Sequence, residues 1–303
     1  YDAVRGNTKE IYPNLTNAES PTSALTSFDA DGFTLQGTGV GTSDNRFNQS
    51  GETYVGWQWK ANGAGSSNTD GSITSTASAN TTAGFSIVTY NGASGTQTVG
   101  HGLGLVPKMM VAKRLNSAND WSVYHASLPV TNILLLNTTG ASVNPGDADW
   151  QDTAPTSSVF YVGNGTARTN NAGDNFVCYC FAEVEGFSSF GSYTGNGSTD
   201  GPMIYTNGMK PAFVLIKRTN AAENWIMLDN ARSEYNVTDD VLYPNLSQAE
   251  NVNSTTTRVD NVSNGFKVRG TNTNINASGS TYIYMAFAEN PFGGDGAAPA
   301  TAR

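Results

Sequence analysis

Cysteine, histidine and charge are all scarce in this 303-residue sequence. Two cysteines, Cys178 and Cys180, are too few for a disulfide scaffold. At i and i+2 of a strand they point the same way, with Cα atoms about 6.5–7 Å apart, an awkward span for a bridge. They read as buried thiols. Only His101 and His125 are available for the acid–base work histidine usually does near neutral pH. No apolar run approaches the ~20 residues of a membrane helix, and no 3.6-period array marks a long amphipathic helix. Charged residues make up 14% and the net charge is −9, so nothing attracts nucleic acid or anionic lipid in general. There is no Gly-rich phosphate loop with its Lys, no Gly-x-Ser-x-Gly elbow and no His-Glu-x-x-His. The chain opens on Tyr1 with no visible secretion leader, which reads as a trimmed or processed start.

Ser, Thr, Asn and Gly fill the polar share, a mix suited to strands and turns. Three short stretches recur. Pro107-Lys-Met-Met-Val-Ala-Lys-Arg114 returns 104 residues later as Pro211-Ala-Phe-Val-Leu-Ile-Lys-Arg218, and Trp121 and Trp225 follow at one distance. Tyr12-Pro-Asn-Leu15 returns as Tyr243-Pro-Asn-Leu246, and Asp2-Ala-Val-Arg5 as Asp229-Asn-Ala-Arg232. Such a period sets the architecture.

Residues 1–63 read as the back half of a repeat, 84–189 and 190–292 as two full copies, and 293–303 as a mobile tail. Residues 64–83 read as a linker or, from the alternation in Ser72–Ser78, as an edge strand. Three closing stretches share one apolar face: Val55, Trp57, Trp59; Val177, Tyr179, Phe181; Ile283, Met285, Phe287. These read as core strands of a sandwich, with a tighter second face at Cys178, Cys180 and Ala182. The predicted fold is all-β: tandem antiparallel β-sandwich repeats. A half unit leaves sheet edges open, so it must be completed by residues before Tyr1, by 64–83, or by a neighbouring chain; association of chains is expected.

Four runs, Gly84–Gly92, Val99–Gly104, Phe190–Gly201 and Tyr282–Phe292, resemble a repeat family found in tail-fibre-like and other virion proteins of marine bacteriophages, including those of cyanobacteria. The resemblance implies a lectin-like or jelly-roll-like sandwich, a virion or extracellular location, and self-assembly or contact with other virion proteins. It carries no catalytic pattern. Similar proteins have a complete first copy ahead of the Tyr1–Gly6 stretch.

Each chemical candidate has an ordinary structural counterpart. His101, in Gly-His-Gly-Leu-Gly, reads as a turn residue. His125 falls where the other copies have Asp2 and Asp229, which disfavours catalysis. Asp2–Arg5 and Asp229–Arg232 read as structural ion pairs. Glu183 and Glu185, with Glu289 repeating Glu183, would be a glycosidase pair only if they faced a cleft; a solvated rim is the ordinary reading. Asp29/Asp31, Asp147/Asp149 and Asp239/Asp240 are weak calcium candidates without EF-hand spacing; no metal or other cofactor is expected. Aromatics are the remaining lead, because flat apolar faces stack on sugar rings. Trp121 and Trp225 read as core, whereas Trp150, Tyr205 and Tyr243 are candidate glycan contacts, with Trp150 expected at the surface because of its polar neighbours. The favoured function is an adhesive structural virion module. A polysaccharide depolymerase and a purely structural filament or decorating subunit are the alternatives.

Overall fold

The computed structural model describes residues 1–36, 46–163 and 168–288. The predicted Glu289 and the 293–303 tail lie outside them. The first unit contributes β1 (Lys9–Glu10), β2 (Ser20–Pro21), β3 (Leu25–Phe28) and β4 (Phe33–Leu35), paired β1–β2 and β3–β4. The second holds β5 (Ser66–Asn68), β6 (Ser75–Asn80), β7 (Phe85–Asn91), β8 (Gln97–Gly100), β9 (Pro107–Arg114), β10 (Ser122–His125), β11 (Leu134–Leu135), β12 (Val159–Val162) and β13 (Asn175–Ala182). The third holds β14 (Ser188–Thr194), β15 (Met203–Tyr205), β16 (Pro211–Arg218), β17 (Ile226–Asp229), β18 (Val259–Val262), β19 (Gly265–Val268) and β20 (Thr281–Ala288). One short helix, Thr273–Asn276, precedes β20. The fold is all-β, and every strand-to-strand ladder is antiparallel.

The large sheet of the second unit runs β11-β10-β9-β13-β7-β6-β5, and its partner layer is β12-β8. The third unit stacks β14-β20-β16-β17 on β15-β19-β18. The two units match in register: Met109 faces Phe181 as Phe213 faces Phe287, and each ladder shifts at the same point next to its Pro. Residues 66–80 are not a linker; β5 and β6 extend the sheet of the second unit. They therefore do not complete the first one.

Each sandwich is filled by the second face of its closing strand. Cys178, Cys180 and Ala182 pack with Val88, Phe160 and Val162, and Tyr284 and Ala286 with Val214, Phe266 and Val268. The thiols are free, buried, and 3.7 Å apart. The face with Trp57, Trp59, Tyr179, Phe181, Met285 and Phe287 turns the other way, into one apolar cluster shared by all three units. Trp59, Phe181 and Phe287, one from each closing stretch, form a triangle with ring centroids 5.6–6.1 Å apart. A strand covered on both faces is apolar on both, and alternation alone does not say which face meets its own sandwich.

Contacts around this centre repeat from unit to unit. The Trp121 indole donates to Tyr12 O and Leu15 O of the first unit; Trp225 donates to Leu135 O of the second, ten positions after His125 as Tyr12 is ten after Asp2. Lys113 reaches Thr16 O and Lys217 reaches Thr139 O. Both lysines, positioned in the sequence like strand-ending charges, are fully buried between units. Burial lowers each to about 8, while the carbonyl acceptors around them favour the ammonium form.

A second set of contacts runs all the way round. Tyr179 of the second unit donates to Asp2 of the first, His125 of the second bonds Tyr284 O of the third, and Trp57 of the first donates to Asp229 of the third. The units are thus arranged head to tail about a pseudo-threefold axis within one chain.

Candidate functional site

One segment breaks the repeat. Fourteen positions separate Asp229 from Tyr243, against ten from Asp2 to Tyr12 and ten from His125 to Leu135. The extra residues, in the stretch Ser233–Thr238, bulge beside β18 and wall a hollow of about 200 Å³ with Lys210, Asn230 and Asn261. Tyr235 stands at its rim and is 68% exposed. The wall is held by paired amides: Asn236 donates to Asn261 O and accepts from Asn261 N, and the Asn261 amide donates to Thr238 Oγ1. The Ser233 hydroxyl accepts from Asp239 N and Asp240 N. Asn261 is 3% exposed, yet its side-chain oxygen has no hydrogen-bond partner among the described residues. A buried carbonyl without a donor costs about 1–3 kcal/mol and is best satisfied by a group entering from outside. The hollow thus offers a flat aromatic edge, amides, a lysine and one carboxylate, Glu234, with the unsatisfied Asn261 oxygen buried in its wall.

None of the aromatic candidates read from the sequence lines this hollow. Trp150 is a correction: it is 2% exposed, packed edge-on between Tyr124 and Phe160. Its polar neighbour Asp149 is itself buried, accepting from Ser122 and ion-paired to Arg168. Asp147 and Asp152 of the polar run are exposed while Asp149 and Trp150 between them turn inward, so the run gave the wrong sign for exposure at Trp150. Tyr205 is exposed on β15, and Tyr243 is half-buried against the core of the third unit. They lie apart from the hollow. Tyr235 was missed, although the four-position excess in spacing marks its segment.

The remaining candidates are structural. Trp121 and Trp225 are buried. Asp2 accepts from the amides of Val4 and Arg5 and pairs with the Arg5 guanidinium; Arg5 also binds Glu19. Asp229 repeats this with Ala231, Arg232 and Glu250. His101 accepts from Leu103 N through Nδ1 while Nε2 meets Thr156 O, and His125 accepts from Ser127 N. Burial lowers both imidazoles, His125 to about 4, which keeps them neutral. Glu183 accepts from Phe190 N and Glu185 is exposed. Among the described residues no three His, Cys, Asp or Glu converge as metal ligands; Asp29 is occupied by Ser27 and Thr34 hydroxyls. Nor is any described helix long and apolar enough to cross a membrane.

The chain belongs to a family described as a domain of unknown function, DUF7483, whose model matches residues 1–291. No curated protein and no solved structure matches it.

Proposed function

We propose that the chain is a rigid adhesive module, of the virion-surface kind implied by the sequence resemblance, and that it binds host-surface glycan at the Tyr235 hollow. The observation that supports this is an exposed tyrosine, carried by an insertion in the third unit, on the wall of a polar hollow that it shares with Asn261, whose buried oxygen is unpartnered among the described residues. A sugar ring meets both: its apolar face stacks on Tyr235, and a hydroxyl donates to Asn261. At about 200 Å³ the hollow is smaller than the roughly 300–1,000 Å³ of drug-sized pockets and suits one ring rather than an extended chain.

Glycoside hydrolysis requires two carboxylates across a cleft. The hollow is lined by one, which favours binding over depolymerisation. Function in such repeats sits in loops carried by a stiff scaffold, and an insertion on one unit of three fits that pattern. An array of bacterial surface polysaccharides, probed with the chain and with Tyr235→Ala, tests the reading. A hit weakened by about tenfold or more in the variant, the size of a lost stacking contact, supports it. Equal binding by both proteins, or release of reducing ends from the bound polysaccharide, overturns it.

A further inference from the structure

Among the described residues, one contact of the pseudo-threefold repeat is missing. Two of its three sockets are filled: Tyr12–Glu19 by Lys113 and Trp121, and Leu135–Ser142 by Lys217 and Trp225. The third, Tyr243–Glu250, is filled by none of the described residues. In the filled sockets Glu19 N donates to Leu115 O and Ser142 N to Thr219 O, and the second residue of each pair sits under cover. In the third, Ser247 O and Glu250 N have no partner among the described residues, and Ala249 is exposed where Ala18 and Ala141 are half-buried.

The first unit is open on the matching side. Tyr54–Lys60 is its closing stretch, the counterpart of β13 and β20, each of which is flanked by two strands. Tyr54–Lys60 pairs with none among the described residues. Phe33 lies against Gly56 as Phe266 lies against Tyr284, but Phe33 is 38% exposed and Phe266 is fully buried. Asn14 completes the pattern. Asn137 and Asn245, its counterparts, accept the backbone N–H of Trp121 and Trp225, whereas Asn14 accepts nothing among the described residues.

We propose that this face docks a β-hairpin of the repeat's own type, carrying Pro-x5-Lys-Arg-x6-Trp, as in Pro107–Trp121 and Pro211–Trp225. Its first strand adds to Tyr54–Lys60 by main-chain pairing and covers Phe33. Its tryptophan donates backbone N–H to Asn14 and indole N–H to Tyr243 O, while its lysine meets Ser247 O. All these groups are already placed, because the other two interfaces show the same set filled. The occupant is a hairpin of this pattern distinct from Pro107–Trp121 and Pro211–Trp225. Both such hairpins of the chain, and equally those of a second copy, are buried in their own units, and releasing one would open a core elsewhere.

The probe is a synthetic peptide of residues 211–229, this chain's own β16–β17 hairpin, added to the full chain and followed by amide hydrogen exchange. Slower exchange across 54–60 by about tenfold or more is expected, with binding weakened at least tenfold by Trp225→Ala in the peptide, the loss expected of a buried aromatic anchor. Ala249→Arg in the chain, an exposed position, should block docking without altering exchange in β13. Because a free peptide can fail to form its hairpin, the same segment is also joined ahead of Tyr1 through a flexible linker. The proposal is overturned if neither form protects 54–60, or if Ala249→Arg binds unchanged. It is also overturned if the chain alone dimerises with 54–60 already as protected as β13, since a second copy would then fill the face.

Discussion

His125 ends β10 where the other two units have Asp2 and Asp229, and it does the same local task. Its Nδ1 accepts the amide two residues on, from Ser127, as the aspartates accept from Val4 and Ala231. The difference is protonation. Burial holds the imidazole near 4, below the ~6.5 of an unfolded chain. Between these values the unfolded state binds the extra proton. The stability is therefore present above about pH 6.5 and is lost as pH falls toward 4, by up to about 3 kcal/mol. His101, lowered for the same reason, acts in the same direction. Urea unfolding at pH 7 and pH 4.5 checks this. His125→Asn keeps an acceptor for Ser127 N but cannot titrate, so it should lose at least about 1 kcal/mol less than the parent chain over that interval.

The corner after each of these strands is a small exchangeable part. Asp2 and Asp229 are paired three residues later with Arg5 and Arg232; His125 is followed at that distance by Leu128, which packs in the central cluster. The unit without the carboxylate is also without the cation, so one position explains the other. His125→Asp alone buries an unpaired charge and should cost about 3 kcal/mol or more. Adding Leu128→Arg should recover at least about 1 kcal/mol of it, read as coupling in a double-mutant cycle. The repeat was legible in the sequence because paired residues such as these recur at fixed offsets, and so were β13 and β20 as strands and the core roles of Trp121 and Trp225; Tyr54–Lys60, read as a third such strand, forms none, and the face read as sandwich core meets the sister units instead. Burial of Lys113 and Lys217 was not legible, since a lysine after an apolar run normally meets water, whereas here a neighbouring unit covers each one and adds a carbonyl, Thr16 O or Thr139 O, to those of its own unit. Trp150 misled for the converse reason: its neighbour Asp149 is buried with it and is satisfied by Ser122 and Arg168. The hollow at Tyr235 was legible in principle, as a difference in spacing rather than as a motif.

Repeats read along a chain imply units strung in line, each folding alone and adding length. A ring around a shared centre implies something else, because each unit leaves an apolar face that only the others cover. In the third unit that face carries Phe190, Phe213, Leu215, Ile283, Met285 and Phe287, all buried in the common cluster. Exposing six such side chains would forfeit roughly 10–15 kcal/mol, comparable with the whole stability of an ordinary domain. The periodicity of the sequence cannot reveal this, since a face buried against its own second layer and one buried against a sister unit have the same alternation. The two arrangements do differ in an experiment. Residues 188–288 expressed alone should be insoluble or bind a hydrophobic dye strongly, whereas a unit built for a string would fold and unfold cooperatively by itself. The intact chain should melt in one transition whether followed by Trp59 fluorescence or by hydrogen exchange in β20, because the ring Trp59–Phe181–Phe287 belongs to all three units at once. A separate, earlier melting of β14–β20 would instead mean that the shared centre contributes little and that the units are held together chiefly by their chain connections.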